Sequence, residues 1–299
     1  MRRLVECVPN FSEGRRREVV DAIAAAIAAV PGVRVLDREM DAAHNRCVIT
    51  FVGDPGAVGE AAFHGARKAV ELIDMEQHHG EHPRVGALDV LPFVPVSGVT
   101  LAECVQIAQS VGKRLGTELQ IPVYFYEAAA TRPERKALPD LRKGEYEGLK
   151  AEIATNPERK PDAGPSKLHP KAGATIVGAR PPLIAYNVNL GTKDLALAKR
   201  IAKTIRERDG GLPAVRALGM DLKDRGLVQV SVNLVDYRRT PIHAVFEAVR
   251  NEAQKAGVEV VGSEIVGLVP LDAIAQAADR FLKLEKFTND QILETRLVE

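Results

Sequence analysis

Residues 74–96 read DMEQHHGEHPRVGALDVLPFVPV and fall into two parts of opposite character. The first part is polar. Three of the chain's seven histidines, His78, His79 and His82, lie within five positions, with Glu81, Arg84 and Asp89 close by. Gly80 and Gly86 loosen this backbone and Pro83 stiffens it. The second part, Asp89 to Val96, is apolar and reads as a buried strand. A polar loop punctuated by Gly and Pro, feeding a buried strand, is where a scaffold holds reactive groups. Two chemistries compete for it. His78-His79-Gly80-Glu81-His82 matches H-x-x-E-H, a zinc-hydrolase pattern. That pattern needs a helix to bring both histidines to one face. Gly80 interrupts such a helix, and Pro83 disfavours helical geometry at His82. The other chemistry is acid–base work by one imidazole, His82, held by the stiff His82-Pro83 step. A solvated polar loop stands level with it on local features.

Upstream, Leu4 to Val8 reads as a strand and Asn10 to Gly14 as a turn. Val20, Ile23, Ile27 and Val30 recur at helical spacing until Pro31-Gly32. Val33 to Leu36 and Arg46 to Val52 are the next strands. Asp54-Pro55 starts a helix that runs to about Ile73, since Asp caps and Pro suits the first turn. With the strand at Asp89–Val96, the order is strand, helix, strand, strand, helix, strand, the split βαβ pattern of a ferredoxin-like unit.

Downstream, Thr100-Leu101-Ala102-Glu103 is a capping box opening a helix, and Ile121 to Tyr126 is a strand. Thr131 to about Gly173 is rich in Pro, Lys, Arg and Gly, with one helical piece near Glu145–Ile153. A long irregular segment of this kind is usually functional or mobile. The first pattern then returns. Strands at Leu183–Leu190, Val215–Leu222, Leu227–Tyr237 and Val258–Ile265 alternate with a helix capped by Thr192 and one starting at Thr240-Pro241. A final helix covers Leu271–Leu282. The architecture is duplicated, giving an α/β (α+β) fold of two ferredoxin-like split βαβ subdomains, 1–178 and 179–299. In the second, Val228, Val230, Val232 and Leu234 share one strand face. Gln229, Ser231 and Asn233 share the other, as do Asn187 and Asn189 on their own strand. These polar residues are candidates for lining a substrate cleft between facing mixed sheets.

The chain has 299 residues, 45% of them hydrophobic and 27% charged, with a formal net charge of +1. This is the composition of an ordinary globular protein. Near-neutral charge argues against a nucleic-acid partner. No apolar run reaches transmembrane length, so no membrane role is expected. Cys7, Cys47 and Cys104 have no metal or redox spacing, which fits a reducing cytoplasm. No G-x-S-x-G elbow, P-loop or zinc quartet occurs.

The stretch HHGEHPRVGALDVLPFVPV resembles the signature of the formiminotransferase family. LVECVPNFSEG (Leu4–Gly14), HNRCVITFVG (His44–Gly53) and VVGSEIVGLVPL (Val260–Leu271) resemble the same family, in order over nearly the whole chain. The resemblance implies two α/β subdomains with substrate between them and a catalytic histidine at His82. It implies transfer of a formimino group between N-formimidoyl-L-glutamate and N5 of tetrahydrofolate, the co-substrate, in histidine degradation and one-carbon metabolism. A formyl version drawing on 5-formyltetrahydrofolate stays open. One imidazole can serve both nitrogens in turn, because its pKa lies near neutrality, and no metal is required.

Glu39 is the candidate for orienting His82; the family usually carries Asp there, one methylene shorter. Arg46 and Arg84 match family positions and suit bidentate capture of substrate carboxylates. Gly164, Pro165, Ser166, Lys167, Leu168, His169, Pro170, Lys171, Ala172 and Gly173 match the family's folate-binding stretch. Lys167 and Lys171 suit a polyglutamate tail. His44, His64, His169 and His243 read as packing or surface residues. The resemblance further implies a cytoplasmic homodimer. Because the chain ends at Glu299, a cyclodeaminase domain is expected to be absent, with a separate formimidoyltetrahydrofolate cyclodeaminase acting next. The rival readings are a metallohydrolase and a non-catalytic folate carrier.

Overall fold

The structure is a computed structural model that describes residues 2–297. The chain divides into two compact units, Met1–Arg180 and Pro181–Glu299. The fold is α+β, with one seven-stranded and one four-stranded sheet.

In the first unit, β1 (Leu4–Cys7) and β2 (Asn10–Phe11) lie along one line, each pairing antiparallel with both β4 (Arg46–Gly53) and β5 (Leu88–Ser97). The turn expected at Asn10–Gly14 therefore begins later. Pro9 cannot donate to a ladder, so it interrupts the strand, and Asn10 and Phe11 resume it. β3 (Arg34–Asp41) forms a hairpin with β4 and extends well past Leu36, where the strand was expected to stop. Its run of charged residues fits a sheet edge, where one side meets water. The helices α1 (Arg17–Ala28), α2 (Pro55–Leu72) and α3 (Leu101–Glu118) bury their apolar stripes against this sheet, as Val20, Ile23 and Ile27 of α1 illustrate. Asp54 caps α2 through the Gly56 and Ala57 amides, and Thr100 with Glu103 forms the expected capping box on α3.

Beyond β5 the sheet continues as β7 (Thr175–Ala179) and then β6 (Val123–Glu127), both parallel. β7 was not anticipated. It is buried at every position, and a short strand buried on both faces shows no alternation. The segment expected to be irregular carries α4 (Leu138–Leu141) and α5 (Glu145–Glu152). Leu149 and Ile153 pack with Val90, Tyr124, Tyr126 and Ile176 in a second apolar cluster.

The second unit runs β8 (Ile184–Leu190), α6 (Leu195–Ile205), β9 (Val215–Leu222), β10 (Leu227–Leu234), α7 (Ile242–Lys255), β11 (Val260–Val266), α8 (Leu271–Leu282) and α9 (Leu293–Leu297). Its strand order β11-β8-β10-β9, all antiparallel, is that of a split βαβ unit. The first unit holds the same order in β5-(β1/β2)-β4-β3. Val228, Val230, Val232 and Leu234 pack with α6 and α7 in one core. Asp194 rather than Thr192 caps α6, accepting from the Leu197 amide; the Thr192 hydroxyl accepts from Asp194 N–H instead.

Candidate functional site

The loop of residues 78–84 lies on the turn between β3 and β4. Asn45 in that turn has φ +48°, a left-handed conformation that Asn tolerates. Its side chain accepts from Gly14 N–H and donates to the His79 carbonyl (both 3.0 Å), while its own carbonyl accepts from His78 Nε2 at 2.9 Å. Gly80 permits the approach: a Cβ there would lie 2.2 Å from the His44 carbonyl oxygen. Docking this loop carries His82 to His44, their ring centroids 6.4 Å apart with planes at 71°. His44 Nδ1 in turn meets Asp41 Oδ2 at 2.7 Å.

His82 is half-buried and makes no hydrogen bond within the chain among the described residues. Burial and the neighbouring Arg46, Arg142 and His44 outweigh Asp41 and push its pKa down to about 3. The imidazole is therefore neutral and available as a proton acceptor. Arg46 is half-buried on β4, and its guanidinium has no hydrogen-bond or ion-pair partner among the described residues. Burial and the Arg142 guanidinium lower its pKa, against the pull of Asp89, Asp41 and Glu39. Arg142, which ends α4, pairs with the buried Asp89 while its Nε is left without a partner. Of the two guanidiniums, Arg142 is matched by Asp89, so Arg46 is the one whose charge can take an anion beside the neutral base.

The other candidate residues fall differently. Glu39 stands on β3 opposite Val48, in electrostatic range of Arg46, and makes no hydrogen bond to His82. Arg84 is buried and fully engaged. It clasps Glu147 at 2.6 and 2.8 Å, reaches Glu145 at 3.1 Å, and donates from Nε to His78 Nδ1 at 3.3 Å. These bonds hold the Glu147 carboxyl down to about 2. A concavity of about 400 Å³ opens beside this cluster, lined by His79, Gly80, Arg84, Gly144, Glu145 and Glu147. Both ring nitrogens of His78 are in use, and residues 78–82 form a loop rather than a helix. The H-x-x-E-H match therefore lacks the geometry of a zinc pair.

The 164–173 segment and Ala174 are stitched to the residues that flank this loop on either side. Met75 N–H donates to Lys171 O, Ala87 N–H to Ala172 O and Ala174 N–H to Val85 O. His169 folds the segment, its Nδ1 accepting from the Lys171 and Ala172 amides. Gly173 at φ +69° crosses Val85 where a Cβ would lie 2.5 Å from the carbonyl oxygen. Lys167 and Lys171 are exposed.

On the second unit, the sheet face opposite α6 and α7 gathers the amide side chains. Gln229 Nε2 donates to Asn189 Oδ1 and to Glu264 Oε1, both at 2.9 Å, and Asn187 Nδ2 donates to the same Glu264 oxygen at 3.2 Å. Asn189 and Gln229 are buried, Ser231 is half-buried and Asn233 exposed. Asp41, His44, Asn45, Arg142 and Glu264 were not anticipated as site residues from the sequence. Asp41 and His44 carried a signal, their i, i+3 spacing just ahead of Arg46; Arg142 carried none.

A formiminotransferase N-terminal subdomain model matches residues 4–180, and a formiminotransferase domain model matches residues 185–298. A glutamate formimidoyltransferase of Thermoplasma acidophilum is 52% identical over 296 residues, covering 98% of this chain and 97% of the relative. One from Streptococcus pyogenes is 46% identical over 299 residues, the full length of both. The formimidoyltransferase-cyclodeaminase of Mus musculus is 49% identical over 306 residues, covering all of this chain and 56% of the relative.

Proposed function

The chain belongs to the formiminotransferase family, and we propose that it is a glutamate formimidoyltransferase moving a formimino group between N-formimidoyl-L-glutamate and N5 of tetrahydrofolate. The observation that carries the site assignment is the neutral His82 set beside the unpaired Arg46. N5 adds to the carbon of the protonated formimino group, whose C=N π pair moves onto the imino nitrogen, while His82 takes the N5 proton. That pair then re-forms the C=N bond as the bond from the carbon to the glutamate nitrogen breaks, and His82 returns the proton to the departing nitrogen. One base that becomes one acid serves both halves. No covalent enzyme intermediate enters.

Arg46, supported by Arg142, takes a carboxylate of the amino-acid substrate. Ion pairing there also withdraws part of the positive field on His82 and raises its basicity when substrate is bound. Glu39 acts at one remove, as a positioning partner of Arg46. The exposed Lys167 and Lys171 meet the glutamyl end of the folate, on a segment fixed by its bonds to the residues flanking the His82 loop. Arg84 keeps that loop in place. The reading carries with it a cytoplasmic homodimer whose product passes to a cyclodeaminase. Transfer measured with purified protein, N-formimidoyl-L-glutamate and tetrahydrofolate tests it. 5-Formyltetrahydrofolate with glutamate, run in parallel, identifies the one-carbon unit.

A further inference from the structure

His82 has to hold the N5 proton between the two halves of the transfer, and its surroundings oppose that. Burial, Arg46 and Arg142 disfavour an imidazolium there and bring its pKa down to about 3. His44, the ring set against it, has the opposite neighbour. The Asp41 carboxylate accepts from the His44 amide at 2.9 Å through Oδ1 and meets ring Nδ1 at 2.7 Å through Oδ2. Desolvation pulls the Asp41 pKa up, but the bonds from the His44 amide and ring outweigh it and hold the group below its ordinary value. Asp41 is therefore charged at neutral pH, and His44 Nδ1 carries the ring proton that faces it.

His44 Nε2 is then the nitrogen with the lone pair, and it has no partner among the described residues. His82 in its neutral form likewise offers one acceptor and one N–H. The ring centroids are 6.4 Å apart, and no bond joins the two rings directly. Polar groups at such a span connect through one water, by two bonds of about 2.9 Å each. The turn that carries His44 is tied to neighbours on both sides. Arg15 Nε donates to Ala42 O at 2.9 Å, and Glu81 N–H donates to Ala43 O at 3.4 Å. The His44 side chain is 41% exposed, so water reaches it.

We infer that His44, oriented by Asp41, is a proton relay that stores a proton for His82 between the two halves of the reaction, through one bridging water. This rests on the formimidoyl-transfer reading above. As His82 takes the N5 proton on its substrate-facing nitrogen, its other N–H passes a proton to the water, and the water passes one to His44 Nε2. His44 becomes an imidazolium against the Asp41 carboxylate. His82 is neutral again, its N–H now facing substrate. The second half runs the path backwards, from His44 Nε2 to water, from water to His82, and from His82 to the departing glutamate nitrogen. Every proton is returned, and only N–H and O–H bonds change along the relay. His44 touches no reacting atom; it acts through His82.

The test is chemical rescue of His44→Ala in the full chain, with N-formimidoyl-L-glutamate and tetrahydrofolate. The variant is expected to lose about 10²-fold in kcat, the low end for a positioned proton-transfer group, because His82 remains. Its folate affinity and KM values are expected to stay near wild type. Added imidazole is expected to restore turnover. Pyrazole, a ring of the same size that carries no added proton at neutral pH, is expected not to. Unchanged kcat in His44→Ala overturns the relay. So does equal restoration by both rings, which would make His44 a wall and nothing more. Asp41→Asn keeps an acceptor for the His44 amide but turns a donor toward Nδ1, which moves the ring proton to Nε2 and blocks the path. It is expected to slow turnover with folate binding intact. Where His44→Ala loses folate binding, or neither ring restores it, Asp41→Asn decides: slowed turnover supports the relay and wild-type kcat overturns it. A wild type that transfers no formimino group overturns the functional reading as well, whereas transfer that is indifferent to both substitutions overturns this inference alone.

Discussion

His82 and His44 meet edge to face with ring centroids 6.4 Å apart, and Asp41 holds the outer ring at 2.7 Å. The inner ring is left without a hydrogen bond of its own among the described residues and faces Arg46 and Arg142 instead. Asp41 is placed to fix His44, and His44 to wall one side of His82. The two ring nitrogens of His82, one an acceptor and one an N–H donor in the neutral form, make no bond within the chain among the described residues.

Replacing His82 by Ala is expected to lower kcat by about 10²–10⁴-fold, the usual worth of a general acid–base group. Folate affinity is expected to change little, because the folate is held by other residues. Single-turnover rates alongside equilibrium binding separate the two quantities. Wild-type kcat in this variant would remove His82 from the mechanism. His79 would be tested next, since His78 has no free ring nitrogen.

The pH behaviour follows from the cations. With its pKa near 3, the His82 imidazole is expected to show no titration between pH 5 and 8 in NMR spectra of the free protein. Arg46→Met removes a cation that disfavours the imidazolium, so the pKa must rise. The same variant is expected to raise KM for N-formimidoyl-L-glutamate more than it lowers kcat. A His82 resonance that titrates near 6.5 in wild type would contradict the electrostatic picture.

Arg84 is expected to govern stability more than chemistry. Arg84→Met strands His78 Nδ1 in a buried position and releases Glu147. The glutamates are exposed enough to recover water, so the cost is about 1–3 kcal/mol, that of one buried group left without its bond. Denaturant unfolding measures it. The pair's contribution, set by a lowered Glu147 pKa, is present above the ordinary carboxylate range and is lost as pH falls toward 2.

Gly80→Ala is expected to lower both stability and turnover, because the new Cβ would sit 2.2 Å from the His44 carbonyl and push the loop off the β3–β4 turn. Normal turnover in this variant would show that the docking of the loop is not what positions His82.

Much of the fold was legible because its signals are local. Asp54-Pro55, the Thr100–Glu103 box and the alternation of Val228 to Leu234 each fix an element within a few residues. What escaped depends on distant partners. β7 is a strand because β5 and β6 flank it, and five buried residues carry no period. Arg46 and Arg84 look alike in sequence; only the fold gives one of them Glu145 and Glu147 and leaves the other alone. Glu39 was the carboxylate expected beside His82, yet the strand extends far enough for Asp41 to take the place next to His44. The Glu264 position depends on a single extra residue, Val261, whose effect on register appears only once the pairing is known.

The most direct measurement is a coupled assay of purified, chelator-treated protein with N-formimidoyl-L-glutamate and tetrahydrofolate, following release of glutamate in wild type and His82→Ala. The account predicts folate-dependent turnover that survives chelation in wild type and falls by about 10²–10⁴-fold in the variant. Turnover that needs no folate, or that chelation abolishes and zinc restores, would contradict it.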